Sequence, residues 1–215
     1  EQANAVIPYM KPDTDYLWNI DADEVFKPQD IEKIFELLQK EKYTSAGFHS
    51  YTFFGGLTHR LIGFEWEHQF MRIRKVYPGS YWSNHRPPTI YHPNLPGNAL
   101  PEKHLDYIEL ASMNIFMYHY SYVSPHQVKQ KIEYYENAII SKGNCILNYY
   151  NELFLPWVKG NAAQKQLIEQ KYCGVHEFAP SYRGDCYTVP FMGSHPAIIQ
   201  RDLPLLMEKL NKQLI

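Results

Sequence analysis

The sequence has little cysteine and little excess charge. Three cysteines occur among 215 residues (Cys145, Cys173 and Cys186), and no two of them form a C-x-x-C pair. An odd number without that spacing disfavours a disulfide framework or a zinc site and favours a reducing compartment. The net charge of -2 provides no overall positive field. We therefore expect no nucleic-acid partner, because such partners are attracted mainly by positive charge.

The sequence also has no apolar run of membrane-spanning length and no recognisable signal peptide. It begins at Glu1 rather than Met, so we expect a piece of a longer protein, and the missing targeting segment excludes little. Aromatic residues, by contrast, are abundant, with 18 Tyr, 11 Phe and 4 Trp. A tyrosine-rich core and a groove for sugars or other flat ligands both explain this composition.

The most informative stretch is a short apolar run that ends in three acids. Residues 16–20 have the length and composition of a buried strand. Asp21, Asp23 and Glu24 follow at its C-terminal end, where ligands bind in open α/β sheets. Two converging carboxylates repel unless a cation lies between them, and Mg²⁺ and Mn²⁺ prefer oxygen ligands. The stretch predicts a divalent-metal site, although the same acids also fit a solvated turn.

The middle of the chain alternates helical and strand-like patterns. Pro28 opens an amphipathic helix, since proline suits the first turn and apolar residues recur at helical spacing. Residues 43–54 and 69–77 have strand-like composition, and we expect them to pair as a long hairpin. Residues 80–104 hold many of the prolines and predict a long structured loop, a kind of segment that is often functional.

The second half begins with an apolar strand predicted at 112–119. Ser124 and Pro125 then provide an N-cap and a first helical residue, so a helix is expected to run to about Lys142. Beyond it, an aromatic stretch and two helices are predicted at 149–157, 161–172 and 201–214. His195, in a Gly-Ser-His-Pro segment, fits no zinc spacing and is expected to be structural.

Four segments taken together are similar to the motifs of one known family. They are Asp21-Ala22-Asp23-Glu24, the Tyr-x-Phe-Phe-Gly-Gly of 51–56, the arginine-bearing strand 69–75, and His119-Tyr120-Ser121-Tyr122-Val123 with its following helix. In this order they resemble family 2 glycosyltransferases of the GT-A fold, particularly the lipopolysaccharide-core type. The first segment resembles the family's DxD region, and the likeness covers roughly residues 1–140.

The resemblance implies an α/β fold with a partial GT-A mixed sheet, helices on both sides, and a mostly helical C-terminal extension. We expect the catalytic core to occupy residues 1–124 and the extension to occupy 125–215. In such enzymes, the first β-α units, which bind the nucleotide base and ribose, precede the DxD strand. The chain is therefore expected to be the C-terminal portion of the enzyme.

The resemblance also implies the reaction. A nucleotide-sugar donor would give its sugar to a glycan or lipid-linked acceptor, with inversion and with Mn²⁺ or Mg²⁺ as cofactor. Asp23 would be the main metal ligand, and Asp21 would assist through metal, water or ribose. His119 would complete the coordination as a neutral imidazole, or bind phosphate when protonated. The implied location is cytoplasmic, either free or peripheral at the inner face of the membrane.

The arginines and the catalytic base leave alternatives open. Arg72 and Arg74 are two apart on a strand and point to one face, which is either solvated or binds the diphosphate or acceptor. An inverting transferase needs a base for the acceptor proton. The resembled enzymes often carry His-Glu after the arginine strand, but Arg86 stands where that Glu is expected. His85 and Glu67 are the candidates for the base.

Two other functions compete with the transferase. The stretch from Asp21 to Val25 also resembles the haloacid-dehalogenase phosphatase motif, in which the first acid, here Asp21, is a nucleophile. That family needs a later acidic pair, for which Gly184-Asp185 is the nearest candidate, and no second acid follows within five residues. The third hypothesis is a non-catalytic glycan-binding or assembly module.

Overall fold

The computed structural model describes residues 2–63, 69–84, 89–91, 103–139, 148–172 and 187–214. The chain divides into two compact units, each built from separate stretches. The first unit comprises Glu1–Asp21, Pro28–Phe48 and Gln69–Ile115, and the second comprises Ala22–Lys27, His49–His68 and Phe116–Ile215. The domain boundary expected between residues 124 and 125 stays a prediction.

The described strands are short and occur throughout the chain. In order they are β1 (Tyr16–Trp18), β2 (Glu24–Val25), β3 (Ser45–Phe48), β4 (Ser50–Phe54), β5 (His59–Ile62), β6 (Phe70–Lys75), β7 (Tyr81–Asn84), β8 (Thr89–Tyr91), β9 (His104–Leu105), β10 (Met117–Tyr122) and β11 (Tyr187–Pro190). The α-helices are α1 (Pro28–Glu41), α2 (Tyr107–Ser112), α3 (Pro125–Ile139), α4 (Leu155–Lys159), α5 (Ala162–Tyr172) and α6 (Ala197–Lys212). A 3-10 helix (Gln2–Tyr9) opens the chain, and a π-helical turn (Tyr150–Phe154) precedes α4.

The first unit is built around a mixed four-stranded sheet with the order β1-β6-β3-β9. Strand β6 is antiparallel to β1 and β3, whereas β9 runs parallel to β3. Trp18 of β1 stacks on Phe48 of β3 at 6.1 Å and meets Phe35 of α1 edge-on at 5.8 Å. Ile34 and Leu38 of α1 are fully buried. The apolar face of α1 therefore contributes to the core of this unit.

The second unit contains a mixed five-stranded sheet with the order β11-β5-β4-β10-β2. Strands β4 and β10 are parallel, and the other neighbours are antiparallel. Its core joins the end of β4 to α3 and α4, and includes Phe54, Val128 and Trp157. Gly55 follows β4 with φ of 67°, and a Cβ there would lie 2.1 Å from the Trp157 ring. Only glycine therefore lets the chain turn so closely against this indole.

The strand predictions were partly right. The stretch 43–54 is two strands, of which β3 belongs to the four-stranded sheet and β4 to the five-stranded sheet. The predicted hairpin is confirmed for β3, which pairs antiparallel with β6. It is wrong for β4, whose neighbours are β5 and β10. The predicted strand at 112–119 begins too early, because α2 extends to Ser112 and β10 starts at Met117.

The helix predictions and the fold class are confirmed more fully than the strand predictions. Helix α3 begins at Pro125, and Ser124 Oγ accepts a hydrogen bond from Gln127 N at 3.3 Å, as an N-cap does. The molecule has mixed sheets flanked by helices and a C-terminal helical region, an architecture consistent with a partial GT-A fold. No helix in the described part of the chain has the length and apolar character that crossing a bilayer requires.

Candidate active site

Strand pairing in the second unit sets the position of Asp23. This residue immediately precedes β2, which pairs antiparallel with β10 so that Glu24 lies opposite His119. The backbone of Asp23 extends the pairing, because its carbonyl oxygen accepts a hydrogen bond from Tyr120 N at 2.7 Å. The sequence separates Asp23 from His119 widely, yet adjacent strands bring them together.

Three side chains surround the Asp23 carboxylate. Oδ1 lies 3.5 Å from His119 Nε2, and Oδ2 accepts a hydrogen bond from Gln127 Nε2 at 3.3 Å. Lys131 Nζ lies 3.9 Å from the same Oδ2 and also donates to Ser121 Oγ. Gln127 and Lys131 are four residues apart on α3, so they lie on one face of this helix. Strand β10 and helix α3 thus both supply partners to one acid.

These contacts change the acidity of Asp23. Partial burial by itself would raise the pKa of this carboxyl, but its hydrogen bond with His119 and its electrostatic attraction to His119 and Lys131 outweigh burial. The net pKa of Asp23 therefore lies below its ordinary value. The carboxylate stays ionised at neutral pH, the state in which it can bind a cation or hold donor groups in place.

Asp21 belongs to the first unit and has a different partner. Its Oδ2 lies 3.3 Å from Nη2 of Arg72, a β6 residue. The Asp21 side chain is 61% exposed, whereas that of Arg72 is 13% exposed. This ion pair lies near the edge of the four-stranded sheet, since Asn19 N also donates to Arg72 O at 2.8 Å. The predicted convergence of Asp21 with Asp23 stays a prediction.

Arg74, the second predicted arginine, packs within the first unit. Its guanidinium lies 6.0 Å from the centre of the Trp82 ring, and Arg72 lies 5.5 Å from that of Phe70. Trp82 is itself held in place, because its backbone N and O both bond to the Asn4 amide, at 2.7 and 2.8 Å. Cation–π contacts of this kind are typical of stabilising surface layers. The assignment of both arginines to the diphosphate or acceptor stays a prediction.

Asp23 and His119, two of the predicted metal ligands, present donor atoms close to each other. The 3.5 Å between Asp23 Oδ1 and His119 Nε2 is short enough for both atoms to bind one ion at distances of about 2.1 Å. Within the described ranges, no group of three or more His, Cys, Asp or Glu side chains forms a complete metal cage. Asp23 and His119 therefore fit a cation that takes its remaining ligands from phosphate and water, as Mg²⁺ commonly does.

Several predicted residues lie outside the described residues. They include both candidates for the catalytic base, His85 and Glu67, and the Gly184-Asp185 pair of the phosphatase alternative. Conversely, the structure adds Gln127 and Lys131, to which sequence reasoning gave no role. Their four-residue spacing in the helix after His119 was the available signal. It marks a shared helix face, but it does not identify the acid that this face meets.

His195 is buried behind this site in the second unit. Its Nε2 donates to Leu57 O at 3.0 Å, because a carbonyl only accepts, and its Nδ1 therefore accepts from Tyr120 OH at 2.9 Å. Burial lowers the pKa of His195 and raises that of Tyr120. Both ring nitrogens are engaged by protein groups. This geometry agrees with the expectation that His195 is structural.

The comparison with protein families adds an independent finding. Residues 3–92 match the model of glycosyl transferase family 2. This matched family 2 segment covers less than half of the chain, and it contains Asp21, Asp23, Arg72 and Arg74 but not His119. It supports a family 2 glycosyltransferase. Searches of curated proteins and of solved structures returned no match.

Proposed function

We propose that the protein is a metal-dependent glycosyltransferase that moves a sugar, with inversion, from a nucleotide diphospho-sugar to a glycan or lipid-linked acceptor. The observation that carries the proposal is the pairing of Asp23, which lies in the family 2 segment, with His119 on β10. The family match favours sugar transfer over the phosphatase alternative. The lipopolysaccharide-core type, a role in polysaccharide biosynthesis and a location at the inner face of the membrane belong to the same proposal.

In the proposed reaction, an acceptor hydroxyl oxygen bonds to the anomeric carbon of the donor sugar. The bond from that carbon to the diphosphate oxygen breaks, and its electron pair leaves with the diphosphate. The acceptor proton goes to a base, for which His85 and Glu67 remain the predicted candidates. When bound, Mn²⁺ or Mg²⁺ supplies a Lewis acid for the negative charge on the leaving diphosphate.

The residues around Asp23 have distinct roles in this proposal. Asp23 and His119 would hold the cation, since they offer an ionised oxygen and an imidazole nitrogen within 3.5 Å of each other. Gln127 orients the carboxylate by donating to its Oδ2. Lys131 adds a fixed positive charge beside it. This positive charge also favours a nearby diphosphate, because ammonium groups attract phosphate oxygens.

The test uses the full-length protein with Mn²⁺ and a panel of UDP-, GDP- and ADP-sugars, and measures release of the nucleoside diphosphate. Asp23→Asn is expected to reduce the rate at least about 100-fold, which corresponds to about 2.7 kcal/mol of lost transition-state stabilisation. Asp202→Asn is the matched control, because Asp202 pairs with Arg201 on α6. Unchanged release in Asp23→Asn would reject the metal role of Asp23, and no release by the wild-type protein from any sugar nucleotide of the panel would reject the transferase.

A further inference from the structure

A cavity of about 350 Å³ lies beside Asp23 within the second unit. Volumes of about 300–1,000 Å³ are typical of sites for small molecules. Val25, Leu57 and Val123 form apolar parts of its lining, and Asp23 contributes to the same lining. The cavity therefore places an apolar space next to the carboxylate assigned above to the cation.

Helix α6 forms another part of the lining with a single apolar stripe. Ile199, Leu206 and Leu210 are seven and four residues apart, so they lie on one side of the helix. Leu206 and Leu210 are only partly buried by protein, as is Ile199. An amphipathic helix normally buries such a stripe completely against its own core. Here the stripe borders a space that an apolar ligand can occupy.

The apolar surface of α6 continues outward from the cavity. Ile198 and Leu205 each precede a lining residue, are seven residues apart, and are 58% and 52% exposed. Adjacent helical positions differ by about 100° in direction, so these two side chains extend the stripe around the helix. A ligand longer than the cavity therefore has an apolar path along α6.

Among the polar groups of the lining, Lys209 is exposed, so its methylenes can line the space while its ammonium stays in water, and Ser124 and Gln213 are bonded to each other. Ser124 Oγ donates to Gln213 Oε1 at 2.8 Å, and His126 N donates to the same oxygen at 3.2 Å. These bonds connect the C-terminal end of α6 to the start of α3. They also occupy hydrogen-bonding groups that a saccharide would need. Each sugar hydroxyl buried without a partner would lose affinity, whereas a hydrocarbon chain loses none in this way.

We propose, building on the function proposed above, that this cavity binds the aliphatic chain of an amphiphilic acceptor whose saccharide hydroxyl reaches the Asp23 side. The chain lies against Leu206 and its neighbours on α6, and its extension follows Ile198 and Leu205. The acceptor is thus lipid-linked rather than a free glycan. The apolar lining selects the chain, and the neighbouring Asp23 region selects the end that reacts.

The test measures binding of methyl, hexyl and octyl β-glucoside to the full-length protein, each below its micellar concentration. A buried methylene improves affinity by up to about fourfold, so octyl glucoside is expected to bind about tenfold more tightly than hexyl glucoside. Leu206→Trp fills the cavity and should abolish this dependence on chain length. Leu167→Trp makes the same change at an exposed leucine of α5 that is not part of this lining, and should preserve it.

A second variant tests the inference even if Leu206→Trp misfolds. Leu210→Ala removes part of the lining without adding bulk, and is expected to weaken octyl glucoside binding about fivefold while the thermal midpoint changes little. Equal binding of methyl and octyl glucoside by the wild-type protein would overturn the inference. So would an equal loss in Leu167→Trp and Leu206→Trp, since the loss would then not depend on the cavity.

The outcomes also separate this inference from the proposed function. Chain-dependent binding by a wild-type protein that releases no nucleoside diphosphate from any sugar nucleotide of the panel rejects the transferase and retains the chain site. Asp23-dependent release with no preference for longer chains rejects the chain site and retains the transferase. Neither result relies on identifying the natural acceptor.

Discussion

Asp21 and Asp23 are two residues apart, but their surroundings differ. Asp21, in the first unit, is 61% exposed and pairs with Arg72 of β6. Asp23, in the second unit, is 22% exposed and has His119, Gln127 and Lys131 around its carboxylate. The two acids of the D-x-D pattern are therefore chemically unequal. One is a mostly exposed carboxylate paired with a largely buried arginine, and the other is enclosed by donors from two elements.

The difference in exposure indicates how much each of the two acids contributes to the proposed reaction. Solvent screens a charge that is mostly exposed, so the interactions of Asp21 are weakened by water. Solvent screens the interactions of Asp23 less, and the pKa of Asp23 is lowered although partial burial by itself would raise it. Electrostatic stabilisation of a reaction is strongest in such partly desolvated sites. We therefore expect Asp23 to dominate the chemistry and Asp21 to contribute less.

The largest expected effect comes from exchanging each acid for its amide. Asp23→Asn should lower nucleoside diphosphate release at least about 100-fold, whereas Asp21→Asn should lower it less than about tenfold. Both changes preserve size and remove one charge, so each is the control for the other. Rates are compared at saturating Mn²⁺ across the nucleotide-sugar panel. Equal losses in the two variants would mean that the two acids act as a symmetric pair.

The next largest effect is expected from removing the positive charge that α3 places beside Asp23. Lys131→Met should lower the rate about tenfold, because it removes the positive charge 3.9 Å from Asp23 Oδ2. Lys131→Arg keeps the charge and should recover much of the rate. The pKa of Asp23 should rise in Lys131→Met, and NMR titration of the carboxyl measures this. A loss of rate that Lys131→Arg shares fully would indicate a packing role instead.

Local sequence patterns predicted the elements on which these residues lie. The apolar run before Asp21, the proline at the start of α1, and Ser124-Pro125 before α3 each depend on neighbours within a few residues. Strand β1 and helices α1 and α3 accordingly occur where they were expected, although β1 is half-buried rather than buried and Ile20 is 47% exposed. The family resemblance, rather than any local pattern, implied that His119 accompanies Asp23, and the two side chains lie 3.5 Å apart.

Long-range pairing was less accessible from the sequence. Residues 43–54 contain continuous apolar and aromatic positions, and nothing local indicates that β3 and β4 join different sheets. The partners of Asp23 on α3 depend on how this helix packs against β10, which periodicity alone does not specify. The cavity beside α6 likewise requires segments distant in the chain to meet. Such contacts arise from tertiary packing, whereas patterns report only local structure.

A smaller effect, on stability as a function of pH, is expected from the hydrogen bonds that connect His195 to Asp23 through Tyr120. His195 accepts from Tyr120 OH, and Tyr120 N bonds to Asp23 O. Burial and the charge of Lys27 lower the pKa of His195, although its bond to Leu57 O acts in the opposite direction. As the pH falls below about 6.5, His195 becomes protonated in the unfolded chain before it does in the folded protein. Acidification therefore favours unfolding.

The measurement is the urea midpoint between pH 5 and pH 8. Wild-type protein should lose stability as the pH falls from 6.5 towards the lower pKa of folded His195. His195→Gln keeps one donor and one acceptor without a titrating ring, and should show a weaker dependence over this range. An identical pH dependence in both proteins would show that His195 does not link protonation to folding.

The smallest expected effect compares the two ion pairs by double-mutant cycles. Removing Asp21 and Arg72 singly and together should give a coupling of about 0.5 kcal/mol or less, since water screens the mostly exposed Asp21 carboxylate. The Asp23–Lys131 cycle should give about 1 kcal/mol, because only 22% and 25% of these side chains are exposed. Urea unfolding at low salt measures both. Raising the salt should weaken the Asp21 pair more, as solvent reaches it better. If the Asp21 pair proved the stronger of the two, exposure would not explain the inequality of the acids, and the roles assigned to them would have to be exchanged.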